Sequence, residues 1–220
     1  MVNKILNRLK GKGEELTQGT SFKITEGLQN KISIGLNWSG IPKKGTFNKI
    51  LQLFEPVDLD GAVAVFKGKE LDEVISYKNM LSKNGSMRHS GDDLMGDLEG
   101  NDGLDNESIV IDLKKLHQDV DSIYVYLRSA RKCDFSEIPY SILRILEVIP
   151  SKRTSHVFAY FNLSNNPAYK GSQAMLMGKF ERQEDNCWAF TALGEPLHET
   201  DLREIGRYIG EEVIVQQDKG

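Results

Sequence analysis

The sequence predicts a mainly β protein: an antiparallel β-sandwich of two sheets with a short N-terminal helix and one late helix. About ten short runs either alternate apolar and polar residues or are rich in β-branched and aromatic residues, and turn residues separate them. No repeated strand–helix alternation accompanies these runs, which disfavours a parallel α/β fold. The chain has 220 residues, of which 39% are hydrophobic, so it has enough apolar mass for a core.

The first predicted element is a short amphipathic helix at residues 2–10. Its apolar residues recur at helical spacing, and its basic residues lie on the remaining surface. The GKG sequence at 11–13 ends this helix and suggests a flexible joint. We therefore divide the chain into a basic N-terminal segment, residues 1–13, and one β-sandwich domain, residues 14–220.

The domain is predicted to contain strands and one helix. The late helix starts at Asp201, because Asp201 and Glu204 have the spacing of a capping box and apolar residues follow at helical intervals. Trp38 and Trp188 lie in strand-like runs, so we interpret both as core residues. The predicted strands are residues 21–25, 31–38, 58–66, 75–80, 108–113, 122–130, 142–149, 156–163, 174–182 and 187–194.

Composition narrows the functional classes. The net charge of −4 and the pI near 5.7 argue against a nucleic-acid binder that depends on overall positive charge. No run approaches the roughly 18 apolar residues of a membrane-spanning helix, and the N-terminus lacks the apolar core of a secretory signal. Cys133 and Cys187 lie far apart and fit a reducing compartment. We expect a cytoplasmic protein, with a peripheral association with the membrane left open.

The acidity of the chain is concentrated in one segment. Residues 89–107 contain seven carboxylates and four glycines but no lysine or arginine. Upstream, Asp58 and Asp60 lie two residues apart on a predicted strand, so both side chains project from the same face. Like charges about 4–5 Å apart cost on the order of 3–4 kcal/mol per pair at an effective dielectric of about 20. If these carboxylates converge, a divalent cation would offset their repulsion.

The ligand chemistry favours calcium. The two segments offer carboxylate, amide and carbonyl oxygens, including the amide of Asn101, and calcium takes six to eight such ligands in flexible geometry. Zinc would need Cys or His, and only His89 is near. The spacing does not fit an EF-hand, because Asp102 stands where that loop needs glycine. The predicted ligands are Asp58, Asp60, Asp92, Asp93, Asp97, Asp102, Asp105, Asn106 and Glu107.

Three alternatives stay open at this point. The acidic segment could be an ordinary solvated surface loop. The same carboxylates could hold two metals that clamp a phosphoryl group in a hydrolase, although the only basic residue beside the loop is Arg88 and no general acid is evident. His89 could be a base, but a turn residue that bonds the backbone is the simpler interpretation. GIPKKGT at 40–46 lacks the lysine that a phosphate-binding loop needs.

Four motifs resemble those of the TerD family. They are IGLNW at 34–38, DLDGAVAVF at 58–66, the acidic segment with its following strand at 89–113, and WAFTALGEP at 188–196. The run IYVYLRSARKCDFSEIP at 123–139 is similar to a family strand that leads into an FxxIP turn. The resemblance implies a β-sandwich that binds calcium in acidic loops, without an established catalytic activity. It also implies an association with resistance to tellurite and other stress.

The resemblance also implies site residues. Asp58 and Asp60 match the DLD motif, Asp92 and Asp93 match a GD-x-L-x-G motif, and Asp102 with Asn106 and Glu107 resembles the closing acidic run. This chain departs from the family pattern by having GNDGLDNE, a longer loop than the compact GDDE. We expect a non-enzymatic module with two calcium ions. The expected partners are other stress-resistance proteins and a membrane protein or the inner membrane surface; oligomeric state stays open.

Overall fold

Two facing sheets form the body of the computed structural model. The structure describes residues 8–10, 13–24, 31–51, 53–98, 101–149, 154–163, 166–184 and 187–217. The strands are β1 Arg8–Lys10, β2 Glu14–Leu16, β3 Ser21–Ile24, β4 Lys31–Trp38, β5 Ile41–Pro42, β6 Phe54–Glu55, β7 Leu59–Lys67, β8 Glu70–Ser76, β9 Met87–His89, β10 Glu107–Asp112, β11 Ser122–Ser129, β12 Ser141–Ile149, β13 Thr154–Asn162, β14 Ala174–Arg182 and β15 Trp188–Leu197. The helices are α1 Thr46–Ile50, α2 Leu202–Tyr208 and α3 Ile214–Gln217, with a π-helical turn at Ile209–Val213 between α2 and α3.

The larger strands divide between two sheets in which antiparallel pairing dominates. Sheet A has the order β1-β13-β12-β4-β10-β9, and β2 also pairs with β13. Sheet B has the order β3-β15-β14-β11-β7-β8. The short strands β5 and β6 form a separate hairpin that carries α1. The predicted sandwich is therefore confirmed, and each predicted strand overlaps an observed one.

Two predicted elements differ from the structure. Residues 8–10 form a strand parallel to β13, so the predicted N-terminal helix is wrong there, and residues 2–7 lie outside the described residues. The edge of β13 presents backbone N–H and C=O groups that an added strand satisfies, which outweighs the local helical pattern. The strand predicted at 75–80 is instead the end of β8, which stops at Ser76 before a turn.

The core lies between the sheets. Ile34, Leu36 and Trp38 of β4 meet Val63 and Val65 of β7 in one buried apolar cluster. Trp38 is fully buried and its Nε1–H donates to the carbonyl of Val57 at 2.8 Å, which satisfies its polar edge. Trp188 also belongs to this cluster, so both tryptophans are core residues as predicted.

Strand β7 is buried on both faces. One face packs between the sheets, while Ala62, Ala64 and Phe66 on the other face contact α2 through Leu202 and Ile205. This double burial explains why the DLDGAVAVF run is almost continuously apolar rather than alternating. It also means that the aspartates at its start lie against a largely apolar surface.

The late helix begins where the sequence predicted. Asp201 is the N-cap of α2, and its Oδ1 accepts from the backbone N–H groups of Arg203 at 2.9 Å and Glu204 at 3.3 Å. The hydroxyl of Tyr126 donates to the carbonyl of Leu202 at 2.6 Å. The cap and this hydrogen bond hold the first turn of α2 against sheet B, close to the start of β7.

Candidate metal centre

Three aspartates form a carboxylate cluster at the start of β7. Asp58 and Asp60 flank Leu59, whose side chain faces the space between the sheets, so the two carboxylates share the opposite side. Asp92 reaches them from the loop between β9 and β10. One carboxylate oxygen from each of the three aspartates lies within 4.8 Å of the others. The structure thus brings the DLD segment and the first part of the acidic loop together.

Two arginines contribute positive charge to this cluster. Arg128 of β11 lies opposite Asp60 across the sheet, and its Nη2 is 2.5 Å from Asp60 Oδ2. Arg131 follows β11, and its Nε is 3.3 Å from Asp58 Oδ2. The sequence pointed only to Arg88 as a basic neighbour, whereas the arginines that contact the cluster are Arg128 and Arg131. These two arginines lie about seventy residues along the chain from the DLD motif, and no local sequence pattern connects residues that far apart.

The arginines do not satisfy the cluster completely. Asp58 Oδ1 is buried and accepts no hydrogen bond from any part of the chain that the structure describes, whereas Asp60 Oδ2 contacts Arg128 Nη2 as an ion pair without a well-aligned hydrogen bond. Burial raises the pKa of Asp60 to about 6, despite the opposing effect of Arg128, and the negative charges of Glu107, Asp58 and Asp92 add to this rise. The pKa of Asp92 is also raised, first by burial and then by Asp58. A cation among these oxygens would relieve both effects.

Glu107 and His89 form a buried pair beneath the cluster. Glu107 Oε2 accepts from the N–H of Gly61 at 2.8 Å, and its Oε1 accepts from the N–H of Asp93 at 3.3 Å. His89 Nε2 lies 3.4 Å from Glu107 Oε2 and 3.2 Å from the carbonyl oxygen of Gly61. Glu107 therefore ties β7 to the acidic loop through two backbone groups. In this arrangement Glu107 lies beside the cluster of Asp58, Asp60 and Asp92 and holds the two segments that carry it.

The geometry of His89 supports a structural role. Its Nδ1 accepts a hydrogen bond from the N–H of Gly91 at 3.1 Å, so that nitrogen carries no proton and the proton belongs on Nε2. Both ring nitrogens then have partners within the fold. The side chain is fully buried, which separates it from solvent. This agrees with the prediction that His89 bonds the backbone, but His89 is the last residue of strand β9 and not a turn residue.

Asp93 shapes the turn that carries Asp92. Its Oδ1 accepts from the backbone N–H groups of Met95 and Gly96, each at 3.0 Å. Gly96 has φ +65° and packs against the indole of Trp38, so a side chain at this position would meet both strain and a clash. The turn is thereby anchored on the core, which fixes the approach of Asp92 to the DLD pair.

A second polar network lies on the outer face of sheet A. Asn37 of β4 donates to Asp97 Oδ2 at 3.0 Å and to Asn106 Oδ1 at 3.0 Å, and Tyr140 donates to Asp97 Oδ2 at 2.9 Å. Asn106 Oδ1 also accepts from the N–H of Trp38 at 2.8 Å. These contacts anchor the second half of the acidic loop. The structure therefore splits the predicted ligand set between two places.

Asp105 belongs to this second network. Arg144 Nη1 is 2.5 Å from Asp105 Oδ1 and 3.3 Å from the carbonyl of Leu104. The Asp105 carboxylate occupies the space above Gly35 where a side chain would otherwise stand. Burial raises the pKa of Asp105 and Arg144 opposes that rise. The acidic loop contains no lysine or arginine of its own, and Arg144 of β12 supplies the positive charge that pairs with Asp105.

The remaining predicted ligand, Asp102, lies at the tip of the loop near Asn101. Asp102 Oδ1 accepts from the N–H of Leu104 at 2.8 Å, and Asn101 Oδ1 accepts from the N–H of Gly103 at 2.8 Å. Both side chains therefore shape the bend that leads back to β10. Glu99, another carboxylate of the acidic segment, lies outside the described residues. The assignment of all nine predicted residues as metal ligands stays a prediction.

Comparison with known proteins identifies the family. The TerD domain family model matches residues 13–208. The chain belongs to the TerD domain family. The stress response protein SCP2 of Bacillus subtilis (strain 168) is 30% identical over 206 residues, which cover 88% of this chain and 98% of that protein. The tellurium resistance protein TerZ of Serratia marcescens is 26% identical over 179 residues, which cover 80% of this chain and 86% of that protein.

A solved TerD-like structure has the same fold. The homologue of the telluride resistance protein TerD from Streptomyces coelicolor A3(2) superposes with a TM-score of 0.60 at 14% identity, covering 83% of this chain and 98% of that one. The TerD-family relatives are named as resistance and stress proteins, not as enzymes. None of the helices in the described ranges combines the length and apolar character of a membrane-spanning segment.

Proposed function

We propose that this TerD-family protein is a non-enzymatic calcium-binding module of a stress-response system of the tellurite-resistance type. Calcium would bind Asp58, Asp60 and Asp92 and so tie the start of β7 to the acidic loop. The observation that carries this proposal is the cluster of three carboxylates within 4.8 Å, in which the buried Asp58 Oδ1 has no hydrogen-bond donor among the described residues. The names of the relatives support the stress-response setting.

The donor set favours calcium over other metals. The cluster offers carboxylate oxygens, and the nearby ring nitrogens of His89 are already engaged by the Gly91 N–H and the Gly61–Glu107 pair. Hard oxygen donors suit calcium or magnesium, and calcium tolerates the irregular arrangement that a strand start and a loop provide. Arg131, whose side chain is about half exposed, can leave Asp58 when a cation takes its place.

The second expected calcium ion would have to bind in the outer network, where the carboxylates already have partners. In the outer network Asp97 and Asp105 are held by Asn37, Tyr140 and Arg144, so a cation there would compete with existing donors. We therefore propose one ion at the cluster of Asp58, Asp60 and Asp92. A second ion involving Asp97, Asp102, Asp105 or Asn106 remains a separate proposal, and the stoichiometry of binding decides it.

A calcium titration tests the proposal. Calorimetry on the purified protein should show calcium binding, and Asp58→Asn and Asp60→Asn should each abolish or strongly weaken it. The control is Asp119→Asn, which should leave calcium binding unchanged because Asp119 is an exposed residue at the opposite end of the sandwich. Calcium at 100 times its dissociation constant should stabilise the fold by about 2.7 kcal/mol. If neither heat nor a shift in the unfolding midpoint is observed, the proposal is wrong.

A metal-dependent phosphohydrolase is the second candidate. The observation that favours it is the presence of Arg128 and Arg131 beside the carboxylates, because a metal and guanidinium groups together can clamp a phosphoryl group. Assays of phosphatase and phosphodiesterase activity with Mg²⁺, Mn²⁺ and Ca²⁺ test it. Turnover that Asp92→Ala removes would favour this candidate over the non-enzymatic module.

A further inference from the structure

Exposed large hydrophobic side chains are concentrated in three segments. In the described part of the chain, the large hydrophobic residues that are 42–72% exposed all lie between residues 47 and 53, at 80–81, or at 94–95. An isolated exposed leucine needs no explanation, but a group of such residues commonly marks a binding surface. These residues, here called the apolar rim, are Phe47, Leu51, Leu53, Met80, Leu81, Leu94 and Met95.

Two segments of the apolar rim adjoin the start of the acidic loop that carries Asp92. Leu94 and Met95 follow Asp92 and Asp93 in the turn that carries the Asp92 carboxylate. The N–H of His89 donates to the carbonyl of Met80 at 2.9 Å, which places the second segment beside the same loop.

The third segment of the apolar rim is connected to the loop through its base. The N–H of Val57 donates to the carbonyl of Met95 at 3.1 Å, and the N–H of Gly40 donates to the carbonyl of Asp97 at 2.9 Å. Val57 and Gly40 flank the β5–β6 hairpin, which carries α1 and the rim residues from Phe47 to Leu53. Backbone hydrogen bonds therefore join all three segments to the acidic loop.

Basic side chains accompany the apolar rim. Arg131 and Lys132 are exposed in the turn after β11, and Arg131 contacts Asp58 of the cluster. Lys132 has φ +59°, and Ser129 holds the turn by accepting from the N–H of Cys133 at 2.7 Å. Without a cation the carboxylates oppose the approach of a negative surface. Calcium offsets two of the three carboxylate charges, and the positive charges of Arg131 and Lys132 then exceed the one that remains at the cluster.

The geometry points to calcium-dependent docking of this end of the molecule on an anionic lipid bilayer. The rim side chains lie on turns and on a short helix of separate segments, an arrangement suited to shallow insertion between headgroups. Arg131, Lys132 and the bound calcium supply the positive charge that anionic headgroups complement. This inference rests on the proposed function, because calcium is what removes the repulsion.

Vesicle sedimentation of the full chain tests the inference. The probe is phosphatidylcholine vesicles with or without phosphatidylserine, each in calcium or in chelator, with calcium binding measured in parallel by calorimetry. We expect binding only to the serine-containing vesicles in calcium. Leu94→Ser combined with Met95→Ser should retain calcium binding but lower vesicle affinity about tenfold. Val215→Ser, which removes a half-buried apolar side chain of α3, should bind vesicles like wild type.

A separate variant tests how much the positive charge of Lys132 contributes to vesicle binding. Lys132→Asn suits the left-handed backbone at that position and should weaken vesicle binding about fivefold. Calcium binding without vesicle binding, or a double rim variant that binds as tightly as wild type, would overturn the docking inference and leave the calcium module standing. Vesicle binding that persists in chelator would also overturn it. A failure of calcium binding itself would overturn the proposed function, and the inference with it.

Discussion

Asp60 shows how one residue can depend on a distant partner. Its side chain is almost fully buried, and the register of β7 and β11 places Arg128 directly opposite. Burial nevertheless raises the Asp60 pKa to about 6, because removing the carboxylate from water outweighs the attraction of the nearby guanidinium. The ion pair with Arg128 therefore offsets only part of the free-energy cost of burying the Asp60 carboxylate. A bound cation would offset the rest.

Replacing Arg128 tests this balance. Without calcium, Arg128→Gln should lower the free energy of unfolding by about 3 kcal/mol, since Asp60 loses its charge partner and must either stay buried as an unpaired carboxylate or take up a proton. Calcium should restore part of that loss, because the cation takes over the charge compensation. Urea unfolding with calcium and with chelator measures both effects.

The matched control for this prediction is Lys67→Gln. Lys67 pairs with Asp72 at 3.3 Å in a more exposed setting, so its loss should change the free energy of unfolding by less than about 1 kcal/mol. Equal effects of the two variants in chelator would contradict the role assigned to Arg128.

At the scale of elements, strand β7 and helix α2 depend on each other. The strand presents Ala62, Ala64 and Phe66 to the helix, and small residues at two of these positions let the helix approach closely. The first turn of α2 is set by the Asp201 cap and by the bond from Tyr126 to the Leu202 carbonyl. The Asp201 cap therefore stabilises the first turn of α2, and α2 covers strand β7, which lies far earlier in the chain.

The Asp201 cap makes a pH-dependent contribution to stability. Hydrogen bonds from the N–H groups of Arg203 and Glu204 lower the Asp201 pKa below its ordinary value of 3.8. The cap therefore stabilises the fold above about pH 4, and this contribution is lost as pH falls through the lowered pKa. Asp201→Ala should cost about 0.5–2 kcal/mol at neutral pH.

Urea unfolding of the wild type and the Asp201→Ala variant over the acid range checks the cap prediction. The difference between the two proteins should shrink as the pH drops below about 4 and falls through the lowered pKa, because the carboxylate of the wild-type cap becomes protonated over that range. Asp201→Asn serves as the control, since an asparagine cap accepts the same bonds without titrating. A difference that stays constant with pH would show that the charge of Asp201 does not matter.

For the whole molecule, the acidic loop links the two sheets. Asp92 reaches the start of β7 in sheet B, whereas Asp97 and Asn106 are bonded to Asn37 of sheet A. Glu107 connects the two regions through the Gly61 and Asp93 backbones. A cation held by Asp58, Asp60 and Asp92 would consequently cross-link the sandwich at one end.

Hydrogen exchange should reveal this cross-link. Calcium should slow exchange of the backbone amides at residues 59–61 and 91–96, because opening either segment would break the metal site. The amides of β3 at the opposite end should change little, since no proposed ligand touches them. Exchange followed by mass spectrometry with calcium and with chelator measures the pattern. Protection spread evenly over both ends would contradict a local cross-link.

The sequence by itself determined the features that depend on neighbouring residues. Alternating or continuous apolar runs predicted the strands, Asp201 predicted the start of the late helix, and the DLD and acidic motifs predicted the family. These succeeded because the pleat of a strand and the cap of a helix are set by residues within a few positions. The N-terminal helix failed at residues 8–10 because an open sheet edge outweighed a weak local pattern.

Only the tertiary structure decided which charges meet. Register placed Arg128 opposite Asp60, and the path of the acidic loop assigned Asp92 to one group and Asp97, Asp105 and Asn106 to another. Composition could count the carboxylates but could not show that Arg144 already engages Asp105. The physical reason is that electrostatic pairing depends on distance in space, and residues tens of positions apart come within reach only once the two sheets have packed.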